Sequence, residues 1–206
     1  MSETVTRDQI IDAADQLFYR QGYDHTSFSD IADVVKISRG NFYYHFKAKD
    51  EILEAVIAVR LANTQRMLDR WEKQGKTPAD RIRSFIHMLI ANRAEIKMHG
   101  CPVGSLCTEL AKLSHDSRSE ASKLSTLFRS WLRRQFESLG LAAHADELAM
   151  HLLARSQGVA TLATAFHDEK FIRHEVEEMD RWLASHLERP RRCLRRSRPK
   201  AGEPRE

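Results

Sequence analysis

Arg39, Gly40, Asn41, Tyr43 and Tyr44 lie close together in the chain, just after Ser38 and up to His45. These side chains hydrogen-bond and stack; none is a ready nucleophile. Arg and Asn can each offer a two-point hydrogen-bond pattern to a base edge in a DNA major groove. Hydroxyls and backbone amides can hold phosphate oxygens. Gly40 falls inside a stretch that the pattern predicts to be helical, where it costs about 1 kcal/mol relative to Ala. Two reasons could keep a glycine there: close approach of a phosphate backbone, or a tight crossing with another helix.

Covalent chemistry finds little support. Ser114-His115-Asp116 is contiguous, so its side chains point apart and cannot form a triad. A Gly-rich phosphate loop, a G-x-S-x-G elbow and a metalloprotease helix motif are all missing. His99-Gly100-Cys101, the Cys101/Cys107 pair and His174-Glu175 lack a familiar metal-ligand spacing. The chain therefore reads as a binding protein, not an enzyme, with no metal and no cofactor.

The elements that must position the polar run can be read from Thr26 to Phe46. Ser27 and Asp30 have capping-box-like spacing. Phe28, Ile31 and Val34/Val35 make one face apolar. Lys36-Ile37 is a turn, and Ser38 is a good N-cap for the next helix. Phe42 and Phe46, four apart, face inward. This is a helix pair joined by a tight turn. Upstream, Thr6 and Gln9 suit a capping box for a first helix that Gly22 closes at about Gln21. Downstream, a long helix runs from Lys49 to about Gln74, with Ala48 where a capping residue would serve better. Thr77-Pro78 starts another that extends toward Gly100. Further helices are predicted over 103–113, from about 122 to Gly140, over 144–166 and over 169–187. The fold class is all-α, with about nine helices.

Composition agrees. The chain has 206 residues, five prolines and eight glycines. No apolar run approaches the roughly 20 residues that span a bilayer, and the N-terminus is polar, so a cytoplasmic protein without membrane partners is expected. Cys101, Cys107 and Cys193 make an odd count, which suits free thiols in a reducing compartment. Net charge is +4, but the tail from Glu188 holds eight Lys/Arg against three acids, whereas residues 1–66 hold eight against ten. DNA binding at the polar run cannot rest on a broadly basic surface. It must rest on placed groups such as Arg39, Lys47 and Lys49. The arginine-rich tail leaves open a second reading, a nonspecific or architectural nucleic-acid binder. A small helical enzyme is the third and weakest.

The first-helix pattern I-I-D-A-A-D-Q-L-F, then Gly22-Tyr23, Thr26, Asp30-Ile31-Ala32, the run S-R-G-N-F-Y-Y-H-F and Lys47 and Lys49 resemble the TetR/AcrR family of transcriptional regulators. The likeness covers about the first third of the chain. It implies a helix-turn-helix DNA-binding domain over 4–64 (helix-turn-helix 27–46), a C-terminal effector-binding and dimerisation domain over 65–188, and a basic, disordered tail over 189–206. It further implies a repressor that binds a palindromic site in double-stranded DNA as a homodimer. The last two predicted helices, 144–166 and 169–187, would form the dimer. At the DNA, Arg39, Gly40, Asn41 and Tyr43 are expected to face the major groove, and Thr26, Ser38, Tyr44, His45 and Lys49 to meet phosphates. Release would follow from a small apolar, aromatic or electrophilic effector of unknown identity. Its pocket is expected to draw on Trp71, Phe85, Met88, His99, Cys101, Leu106, Cys107, Phe128, Trp131 and Arg155. Cys101 and Cys107 flank a Gly/Pro break near His99, where a thiol could be activated; the alternative is two small buried hydrophobes.

Overall fold

The computed structural model describes residues 3–196, with side chains over residues 6–187. The described residues form ten α-helices and one short 3-10 turn, with no strand. The order is α1 (Glu3–Gln21), α2 (Phe28–Val35), α3 (Arg39–His45), α4 (Lys49–Gln74), α5 (Pro78–Ala91), α6 (Arg93–His99), α7 (Pro102–Lys112), α8 (Arg118–Ser138), the 3-10 turn (Ala142–His144), α9 (Ala145–Phe166) and α10 (Glu169–Arg196). The all-α expectation holds. No described helix is long and apolar enough to cross a membrane.

Local chemistry explains most boundaries. The Ser27 hydroxyl accepts the Asp30 amide, and the Asp30 carboxylate accepts the Ser27 amide at 2.7 Å, so the capping box closes α2 as predicted. Ser38 caps α3 in the same way, accepting the Asn41 amide at 3.3 Å. Thr77 and Asp80 form a second capping box, with Pro78 at the first position of α5. Gly22, at φ +92°, ends α1 as expected of a left-handed C′ residue. Ala48 makes no side-chain cap, again as expected.

Four expectations change. Thr6 is no cap, because α1 already begins at Glu3 and Thr6 is buried within it. The helix expected from Thr77 to Gly100 breaks at Asn92, whose side-chain amide donates to the Met88 carbonyl at 2.9 Å and ends α5. Val34 points outward, 56% exposed; the inward residue is Val35, one turn after Ile31. Finally, α10 runs through Pro190 to Arg196, so the expected disordered tail begins as helix. The Arg, Leu and Glu residues there are good helix formers. Residues 197–206 and the Cys193 side chain lie outside what is described.

The apolar residues gather into two cores. The C-terminal core joins Leu68 of α4 to Ile82, Phe85 and Ile86 of α5, Trp131, Leu132 and Phe136 of α8, and the inner faces of α9 and α10. The N-terminal core joins Ile10, Ala14 and Phe18 to Ile31, Phe42, Phe46, Ile52, Leu53 and Val56. It also contains Leu106 and Leu110 of α7 and Ala121 of α8. The N-terminal unit is therefore sealed partly by residues far away in sequence.

Candidate nucleic-acid interface and effector cavity

Phe42 and Phe46 are buried, and their inward anchoring turns the opposite face of α3 to the outside. Phe28 braces this arrangement, its ring 5.0 Å from Phe42 and 5.4 Å from Tyr43. On the outward face Arg39, Gly40 and Asn41 are exposed, Tyr43 is 46% exposed and Tyr44 63%. Arg39 is tethered lightly, donating to the Ser29 hydroxyl at 3.3 Å. A Cβ built on Gly40 meets nothing within 4 Å. A tight helix crossing therefore does not account for this glycine, and its open side faces outward from the reading helix.

The other predicted contact residues are placed less uniformly. Ser38 is exposed, although its hydroxyl serves the cap of α3. His45 is half-buried, edge-on to Tyr44. Thr26 is 1% exposed and its hydroxyl donates to the Gly22 carbonyl at 2.7 Å, so that side chain closes the turn between α1 and α2. Lys49 is similarly committed. Its ammonium donates to the Tyr23 and Asp24 carbonyls at 3.0 and 3.3 Å and lies 4.2 Å from the centre of the Tyr23 ring. Lys47, by contrast, sits at the exposed end of α3, bonded to the Tyr43 carbonyl.

The turn after α1 is also gripped from the C-terminal part of the chain. The Glu109 carboxylate on α7 accepts the backbone amides of Tyr23 and Asp24 at 3.0 and 2.9 Å. Tyr23 donates its hydroxyl to Asp50, and His115 Nε2 lies 3.3 Å from that hydroxyl and 3.4 Å from the Asp50 carboxylate. Arg60, 9% exposed, ties α1 and α7 to α4: it donates to Asp15 at 2.5 Å and to the Pro102 carbonyl at 2.7 Å. Residue pattern alone marked neither Glu109 nor Arg60, and it met His115 only within the contiguous Ser114-His115-Asp116 cluster, not as a partner of Tyr23 and Asp50. An acid on an amphipathic helix has no local signature of the amides that it meets across the fold.

The Tyr23 bond has a pH consequence. The Tyr23 hydroxyl holds the Asp50 carboxyl below the usual carboxylate range, with His115 a smaller cause. Burial, then the bond to Asp50, pushes the Tyr23 hydroxyl up. A lowered acid stabilises the fold above its unfolded pKa of about 3.9 and loses that contribution as pH falls through the folded value. A raised phenol contributes below about pH 10 and loses its contribution above that. Tyr23→Phe should therefore be destabilised by about 1 kcal/mol at neutral pH. Its deficit against wild type should shrink below pH 4, as read from urea midpoints across pH; a deficit constant down to pH 2 would contradict this network.

A cavity of about 310 Å³ is lined by residues of the C-terminal core. Its walls come from α4 to α9, and its floor includes Tyr19 of α1, whose hydroxyl donates to the Gly100 carbonyl at 2.8 Å. Of the residues expected to line a pocket, Phe85, Met88, Cys101 and Phe128 do so. His99 and Cys107 line a neighbouring open groove of about 660 Å³, which shares Cys101, Ser125 and Gln157 with the cavity. The remaining expected residues are elsewhere. Trp71 and Trp131 pack on each other, ring centres 5.7 Å apart, and the Trp131 indole donates to Glu72 at 2.9 Å. Leu106 is spent in the N-terminal core. Arg155 is held by Glu175 of α10 at 2.8 Å. Tyr19, Met67, Glu95, Leu153 and Gln157 line the cavity without having been expected.

The two thiols differ. Cys107 donates to the Ala121 carbonyl at 3.4 Å, and burial pushes its thiol up. Cys101 is the N-cap of α7; its sulfur accepts the Gly104 amide at 3.5 Å and the Gln157 side chain at 3.4 Å. Among the described residues, no group of three or more His, Cys, Asp or Glu could hold a metal ion.

Comparisons with known proteins agree with this architecture. Residues 10–56 match the family model described as bacterial regulatory proteins of the tetR family. The chain is 30% identical over 167 residues to the HTH-type transcriptional regulator in the lacX 3' region of Lactococcus lactis subsp. lactis, spanning 79% of this chain and 85% of that one. A shorter match, 42% over 52 residues and 25% of each chain, is to the HTH-type transcriptional regulator TtgR of Pseudomonas putida. In three dimensions the chain resembles a TetR-family regulator from Agrobacterium tumefaciens, with a TM-score of 0.77 at 20% identity, over 87% of this chain and 98% of that one. With the family model matched at the N-terminus and a 30%-identical relative matched over most of both chains, the chain belongs to the TetR family of bacterial transcriptional regulators.

Proposed function

We propose that the protein is a repressor that binds a near-palindromic DNA site as a homodimer and releases it when a small molecule enters the cavity. The outward face of α3 carries this reading, above all the unobstructed backbone at Gly40 flanked by exposed Arg39, Asn41 and Tyr43. One such helix reads only a few base pairs, so specificity calls for two heads and two half-sites. The surface of α9 supports pairing. Met150, Ala154, Gly158, Leu162 and Phe166 recur at helical spacing on its exposed side, with Phe166 74% exposed. Small residues there let a second helix approach closely, with large apolar ones to bury.

Selection of bound DNA from a random pool tests this. A two-fold symmetric sequence should emerge, bound by two copies, with preference retained at physiological salt. Binding governed by salt alone, without sequence preference, would favour the nonspecific alternative.

The link from cavity to DNA runs through α7. Its first turn lines the cavity, its middle is packed into the N-terminal core, and its Glu109 grips the turn beside α2. A ligand acts on DNA affinity only by favouring one arrangement of such an element over another.

A second reading of the signal rests on Cys101. It faces both cavity and groove and its sulfur accepts two N–H groups, whereas the Cys107 thiol is already a donor. Mild alkylation should label Cys101 several-fold faster than Cys107, because the thiolate is the attacking species. If the signal is electrophilic, alkylation should release DNA from wild type and leave Cys101→Ser bound. Peptide mass spectrometry alongside a DNA-binding assay reads both.

A further inference from the structure

The polar groups around the cavity are unequal in what they leave free. The donors are largely used. Tyr19 gives its hydroxyl to Gly100, Ser156 gives its own to Leu153 at 2.7 Å, and the amide groups of Asn92 and Gln157 reach Met88 and Cys101. Acceptors remain. The Asn92 side-chain oxygen has no partner among the described residues. Glu95, at the exposed mouth, has neither a hydrogen bond nor an ion pair there. Glu95 is also the single charged residue of the lining, which holds no Lys, Arg or His.

Cations that could neutralise it are engaged elsewhere. Arg93 is bonded to Glu169 at 2.5 Å, Lys97 reaches the same carboxylate at 4.0 Å, and Arg60 serves Asp15 and Pro102. The negative charge is felt inside. Burial first, and then Glu95, pushes the Tyr19 hydroxyl on the cavity floor up to about 12. Most of the remaining wall is apolar and aromatic, with Phe85, Phe128, Met67 and Met88 well suited to an aromatic ring. A cavity of about 310 Å³ is at the small end of ligand sites, which run from roughly 300 to 1,000 Å³.

We propose that this cavity takes a small amphiphilic amine, with the protonated nitrogen at the Glu95 mouth and an aromatic or apolar body between Phe85 and Phe128. The assignment rests on the reading of the cavity as the effector site and adds the ligand's charge and donor character. A carboxylate of the same shape would meet Glu95 with like charge and find most of the lining's donors already taken. Apolar burial supplies the bulk of the affinity and the mouth supplies selectivity.

Calorimetric titration of the full chain with 4-phenylbutylamine, 4-phenylbutanol and 4-phenylbutyrate tests this. The amine should bind wild type about tenfold more tightly than the carboxylate, the scale of one charge-assisted contact at a partly open site. Glu95→Gln, at an exposed position that should not disturb folding, should reduce that preference to about threefold or less. Val103→Trp, which fills the cavity from the first turn of α7, should remove binding of all three.

Equal binding of amine and carboxylate, or preference for the carboxylate, would overturn the amine assignment alone, because sensitivity to Val103→Trp would still locate a ligand in the cavity. An unchanged preference in Glu95→Gln would overturn the role of the mouth. Amine binding that survives Val103→Trp, or no binding of any probe, would overturn the assignment together with the effector-cavity reading.

Discussion

Gly40→Ala is expected to make the protein more stable and its DNA complex weaker. The stability gain follows from helix propensity: alanine in place of glycine within a helix is worth up to about 1 kcal/mol, provided that nothing blocks the methyl group. Nothing does, since the built Cβ has no neighbour within 4 Å. If the methyl instead occupies space needed by a phosphate or base edge, operator affinity should fall by about tenfold, or about 1.4 kcal/mol. A bulkier Gly40→Leu should abolish binding while remaining folded. Thermal denaturation and fluorescence anisotropy on the selected operator measure the two quantities separately. Opposite signs are the diagnostic result. An alanine variant that is more stable and binds DNA as well as wild type would remove α3's open backbone from the interface.

Glu109→Ala is expected to cost about 2–3 kcal/mol in stability. The carboxylate satisfies two backbone amides at once, at 3.0 and 2.9 Å, and hydrogen bonds to a charged partner are worth about 1.5–3 kcal/mol each before solvent screening at this half-buried site. A second effect is more specific. Once the grip is lost, α7 should no longer carry the state of the cavity to the α1–α2 turn, so the effector should still bind but release DNA poorly. Gly22 offers an internal control. An alanine Cβ at Gly22 would lie 2.9 Å from the Glu109 carboxylate, at φ +92°, where a side chain is also strained. Gly22→Ala should therefore cost less in the Glu109→Ala background than in wild type, since only the backbone strain remains. Urea unfolding of the two single variants and the double variant measures this coupling. Strict additivity would show that the carboxylate and the turn do not act on each other.

The reading head was legible early because its signals are local. Ser27 with Asp30, Ser38 before Asn41, and Phe42 with Phe46 state a cap or a face within a few residues, and all three form as expected. Gly40 announced itself as a residue out of place, although only the structure could separate its two explanations. The placement of the cations was not legible. Lys49 belongs to the same run as Arg39, yet its ammonium is taken by the carbonyls of Tyr23 and Asp24. Thr26 was expected at a phosphate and is buried in a turn. In both cases the side chain's chemistry fits either partner, and the path of the backbone chooses between them.

The cavity shows the same division more strongly. Large aromatic residues at helical spacing could equally fill a core or line a pocket, and the fold split them: Phe85 and Phe128 face the cavity, while Trp71 and Trp131 pack together away from it. The sequence by itself determined the helices, their caps, the outward polar face of α3 and the family resemblance. All of these follow from hydrogen bonds and apolar periodicity spanning at most a few turns. Only the tertiary structure decided which polar groups stay free, that α7 touches both the cavity and the N-terminal core, and that Glu95 lies in the cavity lining. The bond from Tyr23 to Glu109 joins residues 86 positions apart. No local pattern encodes such a contact, because packing between distant helices brings its two partners together.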